Sequence, residues 1–340
     1  MVKDSRFDAL QAWLGTIPRF DGAQIEPLAG DASFRRYFRV ITASERVVAM
    51  DAPPEREDCG PFIAIGSHWH AQGIRVPAIL ERDDEQGFLL LEDLGDDLLL
   101  GSLSEDTVDH LYTCAIDELI RLQALPASDR YPLPHYDQAL LQREMALFPD
   151  WLLTRQLGMT LDTQEQSLLT CAFNLLEKSA LNQPQVTVHR DYHSRNLLVL
   201  PGEDRPGVID FQDAVRGPVT YDLVSLLKDC YVRWPDQQVA GWRDSFYSKA
   251  VDAGLLRCDL ETFTQWFELM GMQRHLKAAG IFARLAMRDG KQRYLADIPR
   301  VLGYLLDASA RQPALQGFHG WLKERIEPAV TGMMILEPKP

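Results

Sequence analysis

The run His189-Arg190-Asp191-Tyr192-His193-Ser194-Arg195-Asn196-Leu197-Leu198-Val199 restricts the fold of this chain more than any other feature, because Asp210 follows it by a short turn in Ile209-Asp210-Phe211. Apolar residues on either side of the run read as two strands, Thr187–His189 and Leu197–Leu200. Pro201–Pro206 reads as a turn into a third strand, Gly207–Phe211. An Asp, an Asn and a second Asp are thereby gathered around a strand–turn–strand hairpin. Phosphoryl transfer from ATP uses such a set: one carboxylate for the acceptor hydroxyl, and an amide plus a second carboxylate for Mg²⁺.

The run matches the catalytic-loop signature H-R-D-L-x-x-x-N except at the Leu, where Tyr192 stands. Asp191 is therefore the candidate base or hydroxyl-positioner. Asn196 and Asp210 are the candidate metal pair, since Mg²⁺ takes few hard oxygen ligands beside waters and phosphates. Asp213 could reach a second ion or the acceptor, or simply cap its loop. His189 is expected to brace the loop on a buried carboxylate, with Asp222 as partner; Asp222 could equally cap the helix that follows. His193 and Arg195 in the loop, and Glu144, Arg274 and Lys277 on helices expected to flank the acceptor, are candidate substrate contacts, with solvated charge as the alternative for the last three.

The nucleotide side is less regular. The template G-x-G-x-x-G-x-V falls on Gly30-Asp31-Ala32-Ser33-Phe34-Arg35-Arg36-Tyr37, where only the first Gly is kept. V-A-I-K falls on Val47-Val48-Ala49-Met50, and no lysine occurs between Lys3 and Lys178. Arg35 or Arg36 is the candidate cation for the phosphates, since a guanidinium forks onto phosphate oxygens. Gly30, Ser33 and Phe34 complete the proposed cradle. Leu91, Glu92 and Asp93, at the end of the apolar run from Phe88, form the expected adenine-binding hinge. The D-F-G triplet reads Asp210-Phe211-Gln212, so the glycine of a flipping switch is missing.

Alternation predicts strands at Ile25–Leu28, Phe34–Ile41, Val47–Ala52, Val76–Glu81 and Phe88–Leu91, with helices at 7–15 and Pro61–His70. Ser104 is placed as the cap of a helix running to Leu125; further helices are placed at Tyr136–Leu157 and Thr163–Leu181, and the chain is almost all helical after Tyr221. The expected class is α+β: a small antiparallel N-terminal lobe, residues 1–94, and a large, mainly helical lobe, residues 95–340, that carries the catalytic hairpin.

Charge narrows the partners. The 340 residues have a net charge of −14, unevenly distributed: residues 1–214 hold 35 acids and 18 bases, residues 215–340 hold 14 acids and 17 bases. The overall acidity argues against nucleic acid, and no apolar run approaches the roughly 18 residues of a membrane helix. The acidic N-terminus has no signal-peptide pattern. The five scattered cysteines form no CxxC and read as reduced thiols. A cytoplasmic protein with no obligate protein partner is the expectation.

On HRDYHSRN, IDFQDA and YDL the chain resembles the aminoglycoside phosphotransferase / choline kinase superfamily over nearly its whole length, which implies a bilobal protein-kinase-like fold using ATP and Mg²⁺. Within it, GDASFRRYFRV, VVAMDAPPERED and QRHLKAAGIFARLAMRDGKQRYL resemble the bacterial anomeric sugar kinases of cell-wall recycling. That resemblance implies phosphorylation of N-acetylmuramate and N-acetylglucosamine at C1, and a Met in place of the lysine. The basic C-terminal part agrees with a neutral or anionic acceptor, whereas an aminoglycoside is a polycation. Another small-molecule kinase or a nucleotide-binding pseudokinase are the alternatives.

Overall fold

The computed structural model describes residues 4–28, 34–128 and 130–336. The chain forms two compact units. The first comprises Met1–Ser102, Leu125–Pro132 and Arg195–Asp213; the second comprises Leu103–Ala124, Leu133–Ser194 and Ala214–Pro340. The first unit opens with α1 (Ser5–Gly15), followed by β1 (Gln24–Leu28), β2 (Arg36–Ile41), β3 (Arg46–Asp51), α2 (Gly60–Ala71), β4 (Ile79–Asp83), β5 (Phe88–Glu92) and α3 (Leu99–Ser102). Beyond these come α4 (Val108–Gln123), α5 (Gln138–Met145), a π-helical segment (Phe148–Gln156), α6 (Thr163–Leu181), β6 (Gln185–Val188), β7 (Leu197–Leu198), β8 (Gly207–Val208) and β9 (Val215–Pro218). Helices α7 (Tyr221–Leu227), α8 (Asp236–Asp252), α9 (Leu260–Asp289), α10 (Ile298–Ala310), α11 (Gln316–Trp321) and α12 (Glu327–Leu336) complete the chain.

In the first unit the five strands form an antiparallel sheet in the order β1-β2-β3-β5-β4. The alternation read from the sequence is the reason it has a core. Phe38, Val40, Val47, Ala49, Phe88 and Leu90 pack with Leu10, Leu14 and Phe20 into one cluster. Met50, next to Ala49 and so on the opposite face, is fully buried. β4 begins at Ile79, not Val76, because Pro77 has no N–H for a ladder. Phe211 stacks on Phe62 of α2 at 4.8 Å and meets Trp69 at 5.6 Å. Gly66 lets that ring in, since a Cβ there would lie 2.9 Å from it.

The hairpin differs from its sequence reading. β6 does not pair with β7: β6 pairs antiparallel with β9, and β7 with β8. The reason is the backbone after β6. Arg190 adopts φ +78°, and the N–H groups of His189 and Arg190 turn to the Asp222 carboxylate instead of a neighbouring strand. Residues 195–213 group with the sheet-bearing unit because the Val199 N–H donates to the Asp97 carbonyl (2.7 Å) and the Val208 N–H to that of Arg75 (2.8 Å). β9, Val-Arg-Gly-Pro, carries a Gly-Pro pair that reads as a turn, so its strand character is visible only in its ladder with β6.

In the second unit the helix expected at 136–157 is broken. Pro149 lacks an N–H and its ring would clash with the carbonyl of Met145, so α5 stops there and the chain continues as a π-helix. Ser104 does not cap α4. It accepts the Val108 N–H through its own carbonyl, and the helix starts after Thr107. α6 begins where the sequence places it, fixed by a capping box between Asp162 and Glu165. α9 runs for 30 residues and is buried along most of its length. At Gly280 it lies against the Leu147 backbone so closely that a Cβ would fall 2.3 Å from the Leu147 carbonyl carbon. Among the described residues no helix is long and apolar enough to cross a membrane.

Candidate active site

The second unit holds the segment after β6. Asp222, at the start of α7, accepts the N–H of His189 at Oδ2 (2.6 Å) and that of Arg190 at Oδ1 (3.0 Å). Asp229, just beyond α7, accepts the Ser194 N–H (2.9 Å) and hydroxyl (2.5 Å) at one oxygen and the Tyr231 N–H (2.9 Å) at the other. Tyr192 donates to the Ala115 carbonyl of α4 at 2.8 Å. The Asp191 N–H donates to Nδ1 of His189 at 3.2 Å. Asp222, the partner expected for His189, thus meets it at the backbone N–H. Two buried carboxylates and a tyrosine thus hold Arg190 in the left-handed region that a non-glycine residue enters only when its surroundings over-determine it. Burial pushes the Asp222 carboxyl up to about 7, against the pull of the two N–H donors and Arg274.

Asp191 sits among cations. Burial works to raise its carboxyl, but Lys277, His193, Arg274 and Arg190 hold it well below the ordinary carboxylate range. The cations are themselves ordered. Glu144 of α5 receives Arg190 at 2.5 Å and Lys277 of α9 at 3.1 Å. Its other oxygen accepts the Tyr136 hydroxyl, which accepts from Gln273 at 2.8 Å. Lys277 also donates to the Tyr221 hydroxyl at 2.9 Å. Lys277 and Arg190 hold Glu144 ionised although it is buried. The structure therefore brings Glu144, Arg274, Lys277, His193 and Asp191 together. Asp229, Tyr136, Tyr221 and Gln273 were missed in the sequence. A signal existed for Asp229, which follows Asp222 by seven residues, two helical turns along one face.

The first unit carries the metal candidates. The Asn196 amide nitrogen lies 3.4 Å from Asp210 Oδ2, and Gln212 donates to Asp210 Oδ1 at 2.8 Å. Asp210 is exposed and has φ +65°, a second non-glycine left-handed residue. Its carboxylate and the oxygen of the Asn196 amide are hard donors of the kind Mg²⁺ takes, so the donor set fits that ion. Asp213 is exposed and Arg195 half-buried, at the two ends of the 195–213 segment.

Of the nucleotide candidates, Gly30 and Ser33 lie outside the described residues. Phe34 is exposed and donates its N–H to Glu57 at 3.1 Å. Arg36 is tied to Asp51 (2.6 Å) and Asp4 (2.5 Å). Arg35 is buried beside Glu57 (3.2 Å). Burial pushes the Tyr37 phenol up to about 12, and that phenol feels both Arg35 and Asp210. Arg35 is thus on the Asp210 side of the sheet and Arg36 is not. Leu91 is buried in the ladder opposite Val48. Glu92 is bound to Arg75 and Asp93 to Arg39, each at 2.8 Å, so these two side chains are engaged in ion pairs.

The chain is similar to known proteins. The chain is 45% identical over 329 residues, 93% of its length and 95% of the relative's, to an N-acetylmuramate/N-acetylglucosamine kinase of Pseudomonas aeruginosa. It is 46% identical over 305 residues, 89% of this chain and 88% of the relative, to one of Pseudomonas putida. Among solved structures, a choline kinase from Streptococcus pneumoniae superposes with a TM-score of 0.63 at 11% identity, covering 89% of this chain and all of that one. An ADP-bound aminoglycoside phosphotransferase gives 0.59 at 13% identity, covering 88% and 98%. At such identities the structures speak for the fold alone, which is α+β and protein-kinase-like. The family described as the phosphotransferase enzyme family matches residues 24–256, and with the paired acidic motifs, the fold and the near-full-length relatives in agreement, this chain belongs to that family.

Proposed function

We propose that this chain is an ATP-dependent kinase that phosphorylates the anomeric C1 hydroxyl of N-acetylmuramate and N-acetylglucosamine, giving the sugar 1-phosphate, in the cytoplasmic recycling of peptidoglycan. The observation that carries the acceptor is the near-full-length identity to relatives named for those two sugars. The cations around Asp191 agree with it, because they disfavour a polycationic or quaternary ammonium acceptor.

In this reading Asp191 accepts the hydrogen bond of the C1 hydroxyl and aims its oxygen. A carboxylate held so strongly ionised is a weak base, which suits a loose transition state in which orientation matters more than early proton removal. Arg190, anchored on Glu144, and the His189 and Arg190 amides, anchored on Asp222, keep that carboxylate in place. Asn196 and Asp210 would hold Mg²⁺, which would neutralise charge on the ATP phosphates. Arg35 takes over the role of the absent lysine; Leu91 to Asp93 meet adenine through their backbone.

The test is incubation with MgATP and N-acetylmuramate, followed by phosphorus NMR. An anomeric phosphate is expected. ATP turnover with choline or an aminoglycoside, but none with either amino sugar, would overturn the acceptor. No turnover with any of them would overturn the kinase.

A further inference from the structure

Three cationic side chains from two elements of the second unit surround Asp191, and they are not equally answered. Arg190 and Lys277 share Glu144, and Lys277 has the Tyr221 hydroxyl as well. Arg274 has no such partner. It is only 5% exposed. Its one hydrogen bond runs from Nη1 to the Cys230 sulfur, at 3.5 Å, and its Nε is buried without a partner. Among the described residues no carboxylate lies within ion-pair distance of it. Of the carboxylates whose charge it feels, Asp191 is not within ion-pair distance and Asp229 already has both oxygens on Ser194 and Tyr231. The preceding residue repeats the pattern: the Oε1 of Gln273 is also buried and unmatched.

A guanidinium held out of water with a thiol as its hydrogen-bond partner is unfavourable in the free protein. Such donors are retained where something else completes them, and the planar fork of an arginine is shaped for a carboxylate. Arg274 and Asp191 are near enough for each to feel the other's charge. Cys230 leads into Tyr231, a half-buried ring edge-on to His193 at 5.4 Å, and His193 is two residues from Asp191.

We infer that Arg274 is the carboxylate subsite of the acceptor pocket and selects an acidic amino sugar over its neutral counterpart. This rests on the sugar-kinase reading above and sharpens it: the lactyl carboxylate of N-acetylmuramate completes the guanidinium, and N-acetylglucosamine leaves it unmatched.

The experiment compares kcat/KM for the two sugars in the full chain, the Arg274→Gln and Arg274→Lys variants, and adds the methyl ester of N-acetylmuramate as a substrate for the unaltered protein. Arg274→Gln is expected to reduce the ratio of acid to neutral sugar by about 10- to 100-fold, chiefly through KM for the acid. Arg274→Lys recovers part of the loss, since an ammonium keeps the charge without the fork. With the unaltered protein the ester behaves like the neutral sugar. Equal losses on both sugars would mean that Arg274 serves Asp191 or the fold, and would overturn the inference. So would an ester turned over as well as the acid, a result that does not depend on any variant folding. An unaltered protein inert toward both sugars refutes the sugar-kinase reading itself, and is recognised as such because no ratio can then be formed.

Discussion

Glu144→Gln tests the network behind the catalytic loop most directly. The substitution keeps size and one acceptor oxygen but removes the negative charge shared by Arg190 and Lys277. Removing one partner of a buried ion pair costs about 3–5 kcal/mol, because the remaining charge stays buried. Here two cations lose the same partner, and Asp191 is left as the carboxylate whose field they feel. An unfolding entropy of about 2.1 cal/mol/K per residue gives roughly 0.7 kcal/mol/K for a chain of this length. The expected fall in Tm is therefore about 4–7 °C. Adding Lys277→Met should recover part of it, since one of the two stranded charges is gone. Thermal unfolding by circular dichroism measures both. Turnover should fall at least about tenfold while the ATP KM is unchanged, because the side chains of Arg190 and Lys277 lose the carboxylate that holds them in place beside Asp191. A Tm change under about 1 °C, or a double variant no more stable than the single, would refute the shared-partner argument.

Three further expectations follow from the same geometry. Asp191→Asn should keep the fold and nucleotide affinity but lower kcat by about 10²–10⁴-fold; near-full activity would remove Asp191 from the reaction. Asp210→Ala should abolish Mg²⁺-dependent turnover and Asn196→Ala should raise the Mg²⁺ requirement, so unchanged magnesium titrations of both would contradict the metal pair. His275 is buried, stacked on Tyr304 at 4.5 Å, with Nε2 donating to the Lys228 carbonyl at 2.9 Å, and burial pushes it down to about 3. Between that value and the ordinary His value of roughly 6.5 the unfolded chain takes up a proton that the folded one refuses, so stability is lost as the pH is lowered through this window, by up to about 1.4 kcal/mol per unit. His275→Gln should flatten the Tm profile over that window, and an identical slope in both proteins would show that His275 does not set it.

Much of the first unit was legible because its determinants are local. Alternating apolar residues mark β2, β3 and β5, and in the second unit the Asp162–Glu165 box marks the start of α6. Pro149 was a visible break that helical periodicity overrode, and the Gly217-Pro218 pair hid β9, since pairing partners are chosen by tertiary contact and not by propensity.

The sequence by itself picked out the candidate residues. Asp191, Asn196 and Asp210 lie within 20 residues of one another, so their spacing alone marks a candidate loop and two candidate metal positions. It could not determine the environment that tunes them. Glu144 is 46 residues from Arg190, and Lys277 is farther still from both. In the sequence Glu144 and Lys277 are ordinary helix charges, and the excess of bases over acids in residues 215–340 does not say where Lys277 lies. Only packing brings α5 and α9 to the catalytic loop, shares one carboxylate between two cations, and leaves Arg274 with a thiol. Electrostatic energy depends on distance in space and on exclusion of water, and neither quantity can be read along the chain.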